Sequence, residues 1–353
     1  MARELTYAAA IREATVQSME RDESVYLMGL GATDPKGIFG TTLGLEQRFG
    51  SKRVLDMPTA ENGMTGVAIG SALVGLKPVM VHQRDDFALL ALDQIANSAA
   101  KWYSMFNFQR SVPLTIRMII GRGWGQGPQH SQSLQATLGH FPGLKVVMPV
   151  TAPDAKGALI SAIFDPNPVI VLEHRWLYAV LGDVPEDRFE IPLGKARTAC
   201  FGTDVTIVAT GYGVLEAQRA AEILASDGIS AEVIDLRSIR PLDEEAVVDS
   251  VSKTGRLIAV DSGWRTFGVA AEVVALASER AFSSLKAAPI RITAPDTYVP
   301  TASALANEYY FSTVDIVNAV CAMFDLPLKT DGECGLDPAR AKDVPDASFR
   351  GPF

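Results

Sequence analysis

Short apolar runs of strand length alternate with helix-length stretches along almost the whole chain, and that alternation leaves few folds open. Val25-Tyr26-Leu27-Met28-Gly29-Leu30-Gly31, Val54-Leu55-Asp56, Pro78-Val79-Met80-Val81-His82, Val112 to Ile120, Lys145-Val146-Val147-Met148-Pro149 and Val169-Ile170-Val171-Leu172-Glu173 read as buried strands. Residues 5–20, 43–49, 63–74, 86–102 and 152–164 read as the helices between them, the first with Thr6 as its N-cap. Apolar strands separated by helices build a parallel sheet covered on both faces. The pattern pauses over residues 176–200, rich in Pro, Gly and charge, which read as a linker. It then resumes with strands at 205–210, 231–235, 257–260 and 290–292 and helices at 214–226, 244–253, 269–282 and 314–324. At 353 residues the chain is too long for one ordinary domain. We therefore expect an α/β domain over 1–185, a second over 186–326, and a polar tail over 327–353, poorly ordered or draped on a partner.

Composition removes several functional classes. Net charge is −9 with acids spread along the chain, which argues against a nucleic-acid surface. No apolar run reaches membrane-span length, and the first residues lack the apolar core of a signal peptide. Cys200, Cys321 and Cys334 are scattered, with neither a disulfide framework nor zinc spacing, which points to a reducing cytoplasm.

Glu61 stands out chemically. Pro58 and Gly63 bracket it, and Gly66, Ala68, Gly70, Ser71 and Ala72 follow, so a lone acid sits in a turn that runs into a closely packed helix. It is either a helix N-terminal charge favoured by the dipole or an acid held for a purpose. A second stretch, Gly121-Arg122-Gly123-Trp124-Gly125-Gln126-Gly127-Pro128-Gln129-His130, carries glycines at alternate positions. It can be neither regular helix nor central strand, and it matches neither the dinucleotide fingerprint nor a Walker loop. It delivers His130 to the start of the next helix. His82 and His174 close apolar strands, where core and site readings are both open, and His140 reads as structural. Asp85-Asp86 read as acids opening a helix. A GxSxG elbow and metal-ligand spacings are absent from the sequence.

In combination, these stretches are specific. Pro58-Thr59-Ala60-Glu61-Asn62-Gly63, Phe87 with Ala91-Leu92-Asp93-Gln94-Ile95, Gly127 to Ser133, Pro142 to Pro149, Asp165-Pro166-Asn167-Pro168, Pro192 to Ala196 and Val233 to Asp243 occur in order. The chain resembles, from about residue 5 to 325, the beta subunit of the thiamine-diphosphate-dependent 2-oxo acid dehydrogenases, in the transketolase-like superfamily. The resemblance implies a pyrimidine-binding domain followed by a transketolase C-terminal domain. It also implies an alpha subunit that binds the diphosphate and Mg²⁺, in an α2β2 heterotetramer with each cofactor at an alpha–beta interface. Glu61 matches the acid that engages N1′ of the cofactor's pyrimidine, with Thr59 beside it. Gln83 matches a polar contact to the ring, Phe87 the aromatic stacked on it, and His130 the active-site histidine. A potassium ion is implied around Leu114, Thr115, Asp165 and Asn167.

The activity implied is decarboxylation of a 2-oxo acid and transfer of the acyl or aldehyde fragment to the lipoyl group of an acyltransferase core. The alternative is a two-component carboligase whose acceptor is a small aldehyde or sugar. A non-catalytic scaffold is a third class, opposed by Glu61, Gln83, Phe87 and His130 standing together. Three departures bear on the choice. Gly29-Leu30-Gly31-Ala32 stands where the family has Gly-Glu-Asp/Glu-Val. Gln83-Arg84-Asp85-Asp86-Phe87 stands where it has Gln-Phe-Ala-Asp-aromatic, implying an unusual substrate or a solvated Arg84–acid pair. Arg122 and Trp124 occupy the loop approaching the site, where they would contact a polar substrate or pack on the alpha subunit.

Overall fold

A computed structural model describes residues 3–345, which form two compact units. The first comprises residues up to 121 and 137–193. It opens with β1 (Glu4–Thr6) and α1 (Tyr7–Arg21), where the Thr6 side chain caps the helix by accepting from the amide of Ala9. Then come β2 (Val25–Gly29), α2 (Leu45–Phe49), β3 (Val54–Asp56), α3 (Glu61–Leu73), β4 (Lys77–His82), α4 (Asp85–Ala88), α5 (Trp102–Met105) and β5 (Thr115–Ile120). The short α6 (Gln135–Gly139) is followed by β6 (Lys145–Val147), α7 (Ala152–Phe164), β7 (Val169–His174) and β8 (Leu181–Asp183). Parallel strands run in the order β6-β7-β5-β4-β2-β3. Helix α7 lies along α1, and Thr151 caps it through the amide of Asp154.

Residues 122–136 and 194–345 form the second unit. Its elements are β9 (Arg197–Cys200), β10 (Val205–Ala209), α8 (Gly213–Ser226), β11 (Ala231–Asp235), β12 (Ser238–Arg240), α9 (Glu244–Thr254), β13 (Leu257–Trp264), α10 (Val269–Arg280), β14 (Ile290–Ala294), α11 (Ser303–Tyr309) and α12 (Thr313–Met323). The strands are ordered β14-β13-β10-β11-β9, all parallel except the edge strand β9. Val208, Leu236, Leu257 and Ala259 pack against Val247 and Val251 of α9 and Val273 and Ala277 of α10.

Two expectations need correction, and further features lie outside what the sequence pattern encodes. Residues 86–102 are not one long helix. Beyond α4 the chain tightens into a 3₁₀ turn at Leu89–Ala91, widens into a π-helix at Gln94–Ala99, and only then enters α5. Ala91, Ile95, Ala96, Ala99 and Ala100 are all buried, so the apolar spacing is met by a mixed winding as well as by a regular helix. Residues 176–200 are not a bare linker. β8 pairs antiparallel with β1, Ile191 donates its amide to Ser161 Oγ on α7, and β9 joins the second sheet. The compact units accordingly meet at Leu193 and Gly194. Helix α11 was not expected at all. As far as residue 345 the polar tail is anchored on its own unit, with Lys329 paired to Asp227 and Lys342 to Asp315.

Candidate active site

In the first unit the candidate residues collect where β2, β3 and β4 end and the next helices begin, the edge at which open parallel sheets bind ligands. Asp56 closes β3, and its Oδ1 accepts from the amides of Met57 and Gly31, 2.9 and 2.8 Å away, tying together the turns after β3 and β2. The chain then runs through Pro58 and exposed Thr59 to Ala60, which offers no side-chain cap. Glu61 is the first residue of α3 and only 6% exposed. Its carboxylate has no hydrogen-bond partner among the described residues. One turn later Thr65 Oγ donates to the Glu61 carbonyl at 2.7 Å and lies 3.4 Å from Met80 Sδ on β4. Within the protein, what favours this mostly buried acid is the field of the helix N-terminus.

At the end of β4, Gln83 is half-buried and donates its Nε2–H to the Leu30 carbonyl at 2.6 Å. Gly31, in the left-handed region at φ +75°, is the residue this contact demands. A Cβ there would lie 3.0 Å from Gln83 Nε2 and 2.9 Å from Asp34 Oδ2. Where the family carries an acid, Leu30 thus contributes only its carbonyl. Phe87 is half-buried within α4.

Arg84, Asp85 and Asp86 are all buried, so the solvated pair is ruled out. Burial lowers the Arg84 pKa, and Asp86 and Asp85 oppose that shift. Arg175, not singled out from sequence, lies 4.3 Å from the centroid of the Phe39 ring, with Arg84 at 5.8 Å from the same centroid. Burial first, and then the charge of Arg84, bring the Arg175 guanidinium down to about 10. The signal available was a charge immediately following an apolar strand and His174.

His82 follows Met80 on the side of β4 that meets α3. It is 2% exposed, and its Nε2 has no partner among the described residues. Burial pushes its pKa to about 4. As pH falls, the unfolded chain therefore takes up this proton first. Stability that is complete above pH ~6.5 should be lost as pH drops towards ~4, by about 3 kcal/mol. Denaturant titrations of wild type and His82→Phe check this: the substitution should flatten that segment of the stability curve, and an unchanged slope would assign it to other groups. His174, by contrast, is a structural cap, its Nδ1 accepting from the Trp176 amide at 3.2 Å.

The residues suggested for a cation also belong to this unit. The Leu114 carbonyl accepts from the Val169 amide at 2.9 Å, and Thr115 opens β5. Asp165 pairs with Lys145 and accepts from the Asn167 amide at 2.9 Å. Its carboxylate is thus already neutralised. Among the described residues no group of three or more His, Cys, Asp or Glu side chains is placed to hold a metal.

His130 belongs to the second unit. It is exposed and stands five residues before α6, not at a helix start. The loop that carries it is held at several points. Arg122 Nη1 donates to the Phe311 carbonyl at 3.1 Å, with its guanidinium 4.8 Å from the Tyr310 ring centroid. At Gly127 (φ +68°) a Cβ would lie 2.6 Å from Thr301 Oγ1.

The sequence profile described as "Transketolase, pyrimidine binding domain" matches residues 3–180, and that of "Transketolase, C-terminal domain" matches 194–316. The chain is 42% identical over 321 residues to the pyruvate dehydrogenase E1 component subunit beta of Rhizobium meliloti (strain 1021), covering 90% of this chain and 70% of that protein. It is 41% identical over 308 residues to the protein of the same name in Acholeplasma laidlawii, covering 87% and 94%. With the mitochondrial protein of Bos taurus it shares 41% over 322 residues, covering 90% of each. Among solved structures, a split-gene transketolase in an inactive beta4 tetramer superposes with a TM-score of 0.72 over 91% of this chain and 99% of the other. At 24% identity it speaks for the fold alone.

Proposed function

The chain belongs to the family of pyruvate dehydrogenase E1 beta subunits, built from the transketolase pyrimidine-binding and C-terminal domains, and from that premise we propose the division of labour at its site. It is a component of a thiamine-diphosphate-dependent 2-oxo acid dehydrogenase. In the proposed arrangement it holds the pyrimidine half of the cofactor, while an alpha subunit in an α2β2 heterotetramer holds the diphosphate and Mg²⁺. The observation that carries this reading is Glu61, 6% exposed at a helix start, its carboxylate with no hydrogen-bond partner among the described residues. It fits a ring nitrogen that shares a proton with it.

Thiamine diphosphate, when bound, supplies the carbon nucleophile and electron sink for decarboxylation of a 2-oxo acid. The rest falls to side chains. Glu61 would hold a proton at its Oε, shared with a ring nitrogen of the bound cofactor. Gln83 commits Nε2 to Leu30, which leaves Oε1 to accept from an amino group, and Thr59 lies in the turn that leads into Glu61. Phe87 offers an aromatic face to the ring. His130 transfers a proton at the reacting substrate or orients the acyl acceptor. A potassium ion beside Leu114, Thr115, Asp165 and Asn167 would draw mainly on carbonyl oxygens, since Lys145 already answers Asp165. A cytoplasmic location is part of the proposal, on the strength of the scattered cysteines Cys200, Cys321 and Cys334. No described helix is long and apolar enough to cross a membrane.

The reading is tested by calorimetry with thiamine diphosphate, on this chain alone and with its alpha partner. Tight binding only in the complex is expected. Tight binding by this chain alone would refute the shared site. The acceptor is proposed to be the lipoyl group of an acyltransferase core, tested by NAD reduction in the presence of that core and dihydrolipoyl dehydrogenase. Buried Arg84 and half-buried Leu30, both departures from the family pattern, favour the second reading, a small aldehyde or sugar acceptor. Absence of NAD reduction together with carboligation would establish it.

A further inference from the structure

The family profile ends at residue 316, yet the chain continues, and the continuation folds back onto the loop that carries His130. All the elements involved belong to the second unit. Asn318 on α12 fixes the start of the tail, exchanging side-chain hydrogen bonds of 2.9 and 2.7 Å with the Lys329 backbone. The Lys342 amide donates to Asn307 Oδ1 at 2.7 Å, and Lys342 Nζ reaches Asp315 at 3.0 Å. Asp343 is 5% exposed and accepts from Ser303 Oγ at 2.8 Å. Its carbonyl accepts from the backbone amide of Trp124 at 2.9 Å. The strand of tail lies so close to the loop that a Cβ on Gly123 (φ +89°) would sit 1.8 Å from the Asp343 oxygen.

We propose that residues 337–345 form a strap that positions the His130 loop, with Asp343 as its positioning residue. The loop is glycine-rich, and each glycine adds backbone freedom that must be removed before His130 has a fixed place. Arg122 fixes one end on Phe311, and Thr301 packs against Gly125 and Gly127 further along. Between them, the Asp343 carbonyl accepts from the Trp124 amide and packs against Gly123, whose own amide lies 3.4 Å from Tyr310 Oη. Glycine at position 123 is explained by the tail, because a side chain there would push the strap away. Placement of a group by a restraint of this kind shows in turnover more than in binding of the cofactor's other half.

The inference rests on the proposed role of His130, and its test is built on the alpha–beta complex. A chain ending at Arg340 should show faster amide hydrogen exchange across residues 122–130 and a kcat lower by about tenfold. Thiamine diphosphate affinity should be unchanged. Full-length Ser303→Ala/Lys342→Ala, which removes the strap's side-chain anchors, should move both readouts in the same direction by less, and it carries the test if the truncated chain fails to assemble. Unchanged exchange at 122–130 would overturn the strap. Faster exchange with wild-type kcat would overturn its positioning role. Failure of the wider functional reading would show separately, as persistent activity in Glu61→Gln, while the exchange result still reports on the strap.

Discussion

Glu61→Gln is expected to abolish measurable turnover, a loss of at least 10²–10⁴-fold on the scale of a removed acid–base group, while the protein folds and assembles with its alpha partner as before. The two halves of this expectation have one cause. The carboxylate is buried at the start of α3 without a hydrogen-bond partner among the described residues, so no network collapses when an amide of the same shape replaces it. The contacts that fix the turn are made by other atoms: the Glu61 carbonyl with Thr65, and Asp56 with Met57 and Gly31. Replacing a carboxylate that makes no protein hydrogen bond among the described residues should therefore leave thermal stability unchanged or raise it. What is lost is the exchangeable proton. Steady-state kinetics of the assembled complex, cofactor calorimetry and a melting curve check the three parts. Wild-type turnover would refute the role of Glu61. A large fall in melting temperature would show that the acid serves the fold.

This divergence between function and stability explains why Glu61 was legible in the sequence. An acid among Pro58, Gly63 and a run of small residues violates the local pattern without any visible local reason. The strands were legible for the opposite reason, since β2, β4, β5, β7, β10 and β11 are buried at almost every position and read as unbroken apolar runs. Other features depend on partners far along the chain. β1 and β8 are three-residue strands whose pairing links Glu4 to Asp183, which no local pattern encodes. The mixed winding of residues 85–105 buries the same apolar positions as a regular helix would. The tail reads as polar, and its attachment mixes backbone contacts, such as the Asp343 carbonyl, with the charged side chains of Lys329, Lys342 and Asp343, whose partners lie too far along the chain for a local pattern to reveal them. Arg117 and Glu173 are intermediate. Each is a charge inside a central parallel strand, Thr115–Ile120 and Val169–His174, and such a charge requires a buried partner.

That pair carries the second large expectation. Arg117 and Glu173 are both fully buried. Arg117 Nη2 donates to Glu173 Oε2 at 2.8 Å and to Thr41 Oγ1 at 2.9 Å, and Tyr178 Oη donates to the same Glu173 oxygen at 2.7 Å. Burial alone would lower the arginine pKa, but Glu173 outweighs it and the net direction is upward. The Tyr178 hydroxyl is pushed well above its ordinary value, by burial first and then by Glu173. Glu173→Gln keeps the shape and one hydrogen-bond acceptor but strands the Arg117 charge in the sheet. Breaking a buried pair from one side costs roughly 3–5 kcal/mol, a large share of the ~5–15 kcal/mol that holds a typical protein folded. Denaturant unfolding should therefore show a marked drop for this variant, with turnover per folded complex retained, because neither side chain is among the groups proposed to touch cofactor or substrate. The paired replacement Arg117→Met/Glu173→Met should be milder than Glu173→Gln alone, since it removes both desolvated charges and costs Tyr178 its acceptor, while Thr41 Oγ1 keeps its hydrogen bond to the Ile38 carbonyl. If the double variant proves the worse of the two, the stranded guanidinium is not the source of the loss, and the hydrogen bonds that Thr41 accepts from Arg117 and Tyr178 donates to Glu173 must carry it.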